Sequence, residues 1–497
     1  MRKLYVLFVV LIAFVSVPAQ QSNYSAVAAA ERPNILLITL DDMHWDSLGV
    51  TGCKLPNISP NIDQLAAEGM IFNRSHVTIA VCQPTRAVWM TGQYPHNNGA
   101  FGFERINPQT TTLLKILSAA GYYQGIAGKE THVVPTRRKY WDVIIPKDSL
   151  QQGRSAALYA KHVKSFFKQA DASTKPFFLM VNTHDPHRPF AGSKQQQQFI
   201  DTRTRIQKRL AKQGKPAVEI IPFPEVINPY LPTDVPVPGF LPDLPDIRQE
   251  LSEYFTSVRR ADDVVGAVLK ELSAAHQTQN TLVIFMSDHG MPLPFSKTNC
   301  YYQSTRTPLI IKWPGKVKPG SVNSHHFVHG IDITPTILDA IGLPPKKDAD
   351  GRSILPILLG KTDADRDTMM TVFHKTAGRG KFEMRAVHSK RYYYIRNFWY
   401  DGKTKFRNES QSGLTMKAMR TAAKQDPAIL KRVNLFLYRQ PEELYDYEND
   451  PNSLKDLSQD PAHAELLQKL RGQLLQQMKR YHDPLTERFG AELAAKK

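Results

Sequence analysis

Cysteine is nearly missing from this chain: Cys53, Cys82 and Cys300 are the only three in 497 residues. Three thiols cannot build a disulfide framework, and an odd count leaves at least one to be explained. Whether Cys53 and Cys300 pair stays open. Long apolar runs are also missing. The one sizeable stretch, Leu4 to Val17, is shorter than the ~20 residues a membrane-spanning helix needs. It follows Arg2 and Lys3, gives way to polar Gln20–Asn23 and small Ala28–Ala30, and no Cys follows it to carry a lipid. That layout is a cleaved export signal. Residues 1–30 are therefore read as a signal peptide and the mature protein as exported, with no stable membrane insertion. Its destination is periplasmic or secreted if bacterial, lysosomal or extracellular if eukaryotic. Acidic residues are in short supply: 46 Asp and Glu face 64 Lys and Arg, leaving a net charge of +18. Such a surface attracts polyanions, whether nucleic acid, anionic lipid or acidic polysaccharide. No nucleic-acid-binding module is recognisable, and export argues against that partner.

What is present is a folded, ordinary composition, 41% hydrophobic and 22% charged, on a chain long enough for two to three domains. Pro33–Leu40 is a nearly continuous apolar run that ends in Asp41-Asp42, the pattern of a strand buried on both faces. Strand-like runs recur at 125–128, 176–182, 281–287 and 308–313. Helical patterns stand between them, as at 61–69, 111–120 and 250–275. This alternation predicts a doubly wound α/β sheet with its site at the carboxyl ends of the strands. Eight prolines between Pro222 and Pro245 predict an extended surface loop. Near residue 365 the pattern changes to strands at 370–374, 384–388 and 392–399 and a helix at 462–481. The division expected is 31–365 for the catalytic domain and 366–497 for a smaller C-terminal α+β domain.

The chemistry concentrates at strand ends. Asp41 and Asp42 alone read as a helix cap. Ser287-Asp288-His289-Gly290 ends a second strand, however, and Asp41, Asp42, Asp288 and His289 together suit a hard divalent cation such as Ca²⁺ or Mg²⁺. Gly128-Lys129-Glu130-Thr131-His132 and Thr183-His184-Asp185-Pro186-His187-Arg188 bring cations and imidazoles to the same sheet edge. The most specific segment is Val81-Cys82-Gln83-Pro84-Thr85-Arg86-Ala87, followed by Met90-Thr91-Gly92.

Cys-x-Pro-x-Arg in that setting resembles the signature of the type I sulfatase family. The resemblance implies an alkaline-phosphatase-like fold, conversion of Cys82 to formylglycine by a formylglycine-generating or anaerobic sulfatase-maturating enzyme, and one divalent cation, Ca²⁺ or Mg²⁺, held by Asp41, Asp42, Asp288, His289 and residue 82. It further implies that Lys129 and His132 contact the hydrated aldehyde, that Arg86 orients it, and that His184 and Lys297 meet the sulfate and leaving group. A gem-diol suits this reaction because one hydroxyl attacks sulfur and the other, once deprotonated, expels sulfate; a serine would be left as a stable sulfate ester. Two positions depart from the family pattern. His289 replaces the more usual Asn, and one extra residue separates Lys129 from His132.

Within the family, Thr183–Arg188, Thr281–Phe285, Pro292-Leu293-Pro294, Thr298-Asn299 and the tail segments Glu443–Asp446 and His482-Asp483-Pro484 resemble the N-sulfoglucosamine sulfohydrolase branch. That branch implies the N-sulfate of glucosamine in heparan-type saccharides as substrate. Where it has Arg before Thr-Asn, this chain has Lys297, a point charge in place of a bidentate fork. An O-sulfatase on another acidic polysaccharide and a phosphodiester or phosphonate hydrolase of the same superfamily remain the alternatives. Oligomeric state is not legible. Arg188, Glu104, Arg105 and the loop 374–381 are candidate sugar contacts. The aromatic run 391–400 is read first as a core strand and second as a sugar platform. Residues 375–439 hold 16 Lys or Arg against 4 Asp or Glu. They are expected to draw a polyanion towards the site while contributing none of its proposed catalytic or metal-binding groups.

Overall fold

The computed structural model describes residues 32–133, 138–216, 219–378 and 380–495; the leader read at residues 1–30 lies outside them. The first part of the chain forms β1 (Asn34–Leu40), β2 (Met70–Phe72), β3 (Ser75–His76), β4 (Tyr123–Ala127), β5 (Val143–Ile145), β6 (Phe177–Asn182), β7 (Thr281–Ser287), β8 (Leu309–Lys312), β9 (Ser321–Asn323) and β10 (Val328–His329). Eight of these make one sheet in the order β5-β4-β6-β1-β7-β8-β2-β9, with β3 and β10 paired separately. Its central pairs are parallel, Leu36 lying opposite Leu179 on β6 and Val283 on β7. Strand β8 alone runs against its neighbours. The short strands β2, β5 and β9 carry too few residues for a legible alternation, which is why the sequence pattern passes over them.

Every residue of β1 is buried, and the reason is two-sided covering. Leu36, Ile38 and Leu40 face a cluster with Phe166 and Val163 of the helix Ala156–Ala172 and Val258 and Phe255 of the helix Pro245–Ala274. Ile35 and Leu37 face the other cluster, with Leu113 and Leu117 of the helix Leu113–Ala119 and Ile337 of the helix Ile333–Ala340. Each such side chain contributes about 1.5–3 kcal/mol by leaving water. The proline-rich segment has no regular element until Pro245 opens the helix Pro245–Ala274, and only Val235, Phe240 and Leu241 within it are buried.

The later part adds β11 (Met369–Lys375), β12 (Lys381–His388), β13 (Tyr392–Asn397) and β14 (Glu442–Asp446), an antiparallel sheet in that order. The helix Ala464–Arg480 packs on it through Leu470 and Leu474. Tyr393, Tyr394 and Ile395 of the aromatic run are wholly buried, so this segment is core. The apolar cluster that includes Leu36 and Ile38 continues through Met370, Val372 and Leu444, so both sheets share it. All three cysteines are buried and free.

Candidate active site

Four strand ends meet at one edge of the large sheet. β1 delivers Asp41 and Asp42, β7 delivers Asp288 and His289, β4 leads through Gly128 to Lys129 and the short helix Glu130–Val133, and β6 leads into 183–188. Cys82 opens the helix Cys82–Thr91, where Arg86, one turn on, faces the same side. Several of the turns are costly for side-chain-bearing residues: Asp42, Lys129, Phe295 and Thr298 all have φ between 51° and 71°. Backbone held in this sparsely populated region concentrates at functional sites.

Asp41, Asp42, Cys82 and His289 are all buried, and one ligand atom from each lies within 4.8 Å of the others. Cys82 Sγ is 3.3 Å from His289 Nε2. His289 Nδ1 is 3.0 Å from Asp42 Oδ1. The Asp288 carboxylate is turned elsewhere: Oδ1 accepts the Asp42 N–H at 3.1 Å and Oδ2 receives Arg86 at 3.0 Å. Arg86 is fully buried and also donates to Thr39 Oγ1 at 2.9 Å and to Asn182 Oδ1 at 2.6 Å. Lys129 pairs with Asp41, and Lys297 with both Asp42, at 2.7 Å, and Glu409.

Charge in this buried cluster is finely divided. Burial raises the Asp41 carboxyl, but Lys129, His187, Arg86 and Lys297 outweigh it and hold the group well below the usual carboxylate range. Burial wins at Asp42, pushed up to about 7 despite Lys297 and His289. Lys297 keeps its proton because Asp42, Cys82 and Glu409 overcome its desolvation. Burial, reinforced by Asp41 and Asp288, pushes the Cys82 thiol well above its ordinary value. As a thiol it is therefore protonated and a poor nucleophile. His132 and His184 are driven down chiefly by burial and next by Lys129, so both rest as free bases.

The donor set fits a divalent cation. The carboxylate oxygens of Asp41 and Asp42 are buried and accept no hydrogen bond, so only ion pairs offset their charge. Oxygen-rich, convergent and under-satisfied, these groups are what a hard cation takes. The Cys82 sulfur and the His289 nitrogen are the exceptions.

His132 stands to one side, edge-on to Phe103, beside a narrow cleft that it lines with Arg86 and Arg105. His184 packs against Gly153, where a Cβ would come within 2.0 Å of its Nδ1. Gly128 is fixed by a similar approach, since a Cβ there would lie 2.3 Å from the Asn182 carbonyl oxygen. Of the candidate sugar contacts, Arg188 is engaged with Glu250 and the Pro292 carbonyl, and Glu104 with Lys375.

Besides Gly153, two side chains had no role assigned from sequence. Asn182, at the end of β6, accepts from Arg86 and Thr39 and donates to the carbonyls of Ala127 and Gly128, tying three strand ends together. Glu409 comes from the segment expected to stay apart from catalysis. With Asn408, Thr376 and Phe382 it walls a cavity of about 530 Å³ that reaches Cys82 and Lys297. A lone exposed Glu in a basic stretch carries no signal of this. The basic stretch itself is less available than its composition suggests: Arg385 and Arg439 are buried against Asp483 and Glu443, and Lys375, Lys390, Arg391 and Arg396 are ion-paired.

Comparison with known proteins matches residues 33–343 to the sulfatase family and residues 288–411 to the family described as N-sulphoglucosamine sulphohydrolase, C-terminal. The chain is 31% identical over 476 residues to N-sulphoglucosamine sulphohydrolase of Homo sapiens, covering 91% of each chain. It is 28% identical to an ulvan-active sulfatase of Formosa agariphila, over 93% of this chain and 82% of that one. A structure solved with D-glucosamine-2-N,6-O-disulfate as substrate shares the fold, with a TM-score of 0.66 at 19% identity, covering 91% of this chain and 99% of that one.

Proposed function

Because the chain belongs to the sulfatase family, we propose that it hydrolyses the N-sulfate of glucosamine in heparan-type saccharides. The observation that carries this is the cluster of Cys82 with Asp41, Asp42 and His289, flanked by the ammonium groups of Lys129 and Lys297. Such an arrangement binds an anionic tetrahedral sulfuryl centre and a nucleophile at one point. The N-sulfated choice rests on the human relative and on the C-terminal family match.

A protonated Cys82 thiol cannot serve the reaction as it stands; oxidation of Cys82 to formylglycine by a formylglycine-generating or anaerobic sulfatase-maturating enzyme, which brings the oxidant, would give residue 82 a hydrated aldehyde with a hydroxyl to attack sulfur. Asp41, Asp42, His289 and residue 82 would hold a divalent cation, with Asp288 joining them only by releasing Arg86 or the Asp42 N–H, and the cation would neutralise charge at the sulfuryl oxygens. Lys129 and Lys297 place their ammonium groups on those oxygens. Arg86, locked by Asp288, Thr39 and Asn182, fixes the first turn of the helix and hence the direction of residue 82. His184 is held down mainly by burial and next by Lys129, so it needs the negative charge of the bound substrate to gain the proton it delivers to the departing nitrogen. His132, a free base with an unpartnered Nδ1, accepts the proton that residue 82 gives up when sulfate leaves.

The ulvan-active relative favours a second reading, an O-sulfatase on another acidic polysaccharide. A panel of glucosamine-containing disaccharides carrying a single N-, 2-O-, 3-O- or 6-O-sulfate separates the two. Release of free sulfate from the N-sulfated member is expected, and release from O-sulfated members alone overturns the N-sulfate assignment.

A further inference from the structure

The helix Lys194–Lys212 has no buried residue along its 19 positions. Its packing is limited to half-buried residues such as Phe199, whose ring meets Phe223 at 5.5 Å, so its polar, cationic surface is largely left to solvent. It carries Lys194, Arg203, Arg205, Lys208, Arg209 and Lys212 against a single acid, Asp201. Among the described residues none of these six cations has a carboxylate within 4.0 Å, whereas much of the basic C-terminal stretch is neutralised by ion pairs. One face holds a shallow groove of about 450 Å³, lined by Gln195, Gln198, Phe199, Thr202, Arg203 and Ile206. The Arg203 guanidinium lies 4.9 Å from the Phe199 ring centre. Stacked on Phe199, the guanidinium is held where it suits a sulfate, and the amides of Gln195 and Gln198 beside it suit hydroxyls. At 1.5 Å per residue the helix is about 28 Å long, the span of several sugar units. Its first residue follows by six positions Arg188, one of the candidate sugar contacts.

We propose that this helix is a docking site for sulfated polysaccharide, outside the catalytic cavity, that holds a polymer substrate while one unit is processed. Unpaired charge concentrated on an exposed surface acts on a polyanion by counterion release, so the contribution is strong at low salt and specific to long chains. The choice of polymer, though not the existence of the basic surface, rests on the sulfatase reading.

The test compares Lys208→Gln/Arg209→Gln/Lys212→Gln with a control of equal charge change on an exposed part of the C-terminal stretch, Lys417→Gln/Arg420→Gln/Lys424→Gln. Heparin binding is measured in both across a salt series, and turnover of a sulfated disaccharide serves as the fold control. The helix variant is expected to weaken heparin binding about tenfold at about 0.15 M salt, with a shallower salt slope. Disaccharide turnover should stay within about twofold, and the control should weaken binding much less. Equal weakening by both variants reduces the effect to net charge and overturns the docking site. So does unchanged heparin binding, or tight binding of wild-type protein to phosphatidylserine vesicles but not to heparin. Failure of wild-type protein to release sulfate from any disaccharide would instead overturn the sulfatase reading.

Discussion

Lys297 Nζ lies 2.7 Å from Asp42 Oδ1, and the same ammonium is held from the other side by Glu409. The pair is buried, so the lysine is fixed where a sulfate arriving through the cavity must meet it. Lys297→Gln removes that charge and leaves Asp42 less compensated. It should lower kcat/KM about 100-fold, the range seen when one preorganised donor to a developing anion is lost. A change of less than threefold, measured with the preferred saccharide, would remove Lys297 from the sulfuryl site.

Gly153 and His184 make a second pair. A methyl at 153 would come within 2.0 Å of the imidazole Nδ1, and φ there is +72°. Gly153→Ala should therefore displace His184 and cut kcat by tenfold or more while costing stability only about 1–2 kcal/mol for the strained backbone. An unchanged kcat with an unchanged Tm would show that His184 is not held by this contact.

If Asp41 and Asp42 hold a cation, as proposed, the protein's stability should depend on it. Adding Ca²⁺ or Mg²⁺ well above its dissociation constant should raise the Tm by a few degrees, through binding to the folded state alone, and a chelator should reverse it. Asp42→Asn should abolish the shift. A cation-independent melting curve in the wild-type protein would contradict the assigned ligands.

Remote from the site, His76, His329 and His388 are buried and pushed down, His329 to about 4 and His388 to about 3, mainly by desolvation. The unfolded chain binds protons at these histidines near pH 6.5, while the folded protein does not. Their contribution to stability is therefore complete above about pH 6.5 and is lost as pH falls towards 4, by up to about 1.4 kcal/mol per pH unit for each group. Urea midpoints at pH 7.5, 5.5 and 4.5 should fall in that order; a midpoint that rises on acidification would contradict the neutral assignment.

What could be read from sequence was whatever a single local segment carries. Asp41-Asp42 and Asp288-His289 sit where apolar strands end, and Cys82 and Arg86 lie in one contiguous motif, so both composition and place were visible. Asn182, Gly153 and Glu409 were not assigned, because each acquires its role only through a contact the fold makes between distant segments. The C-terminal charge is a case where composition overstates what is available. Arg385 and Arg439 count as surface cations in composition, yet they are buried counter-ions of Asp483 and Glu443. Only folding distinguishes a cation that seeks a partner from one that already has it.

Position 82 carries the central claim, and its substitution tests that claim most directly. Free sulfate released from an N-sulfated glucosamine disaccharide should be measured for the matured protein and for Cys82→Ala, with melting curves showing both to be folded. The matured protein should turn over repeatedly, and Cys82→Ala should release no sulfate above background. Multiple turnovers by folded Cys82→Ala would contradict the assignment of residue 82 as the source of the nucleophile.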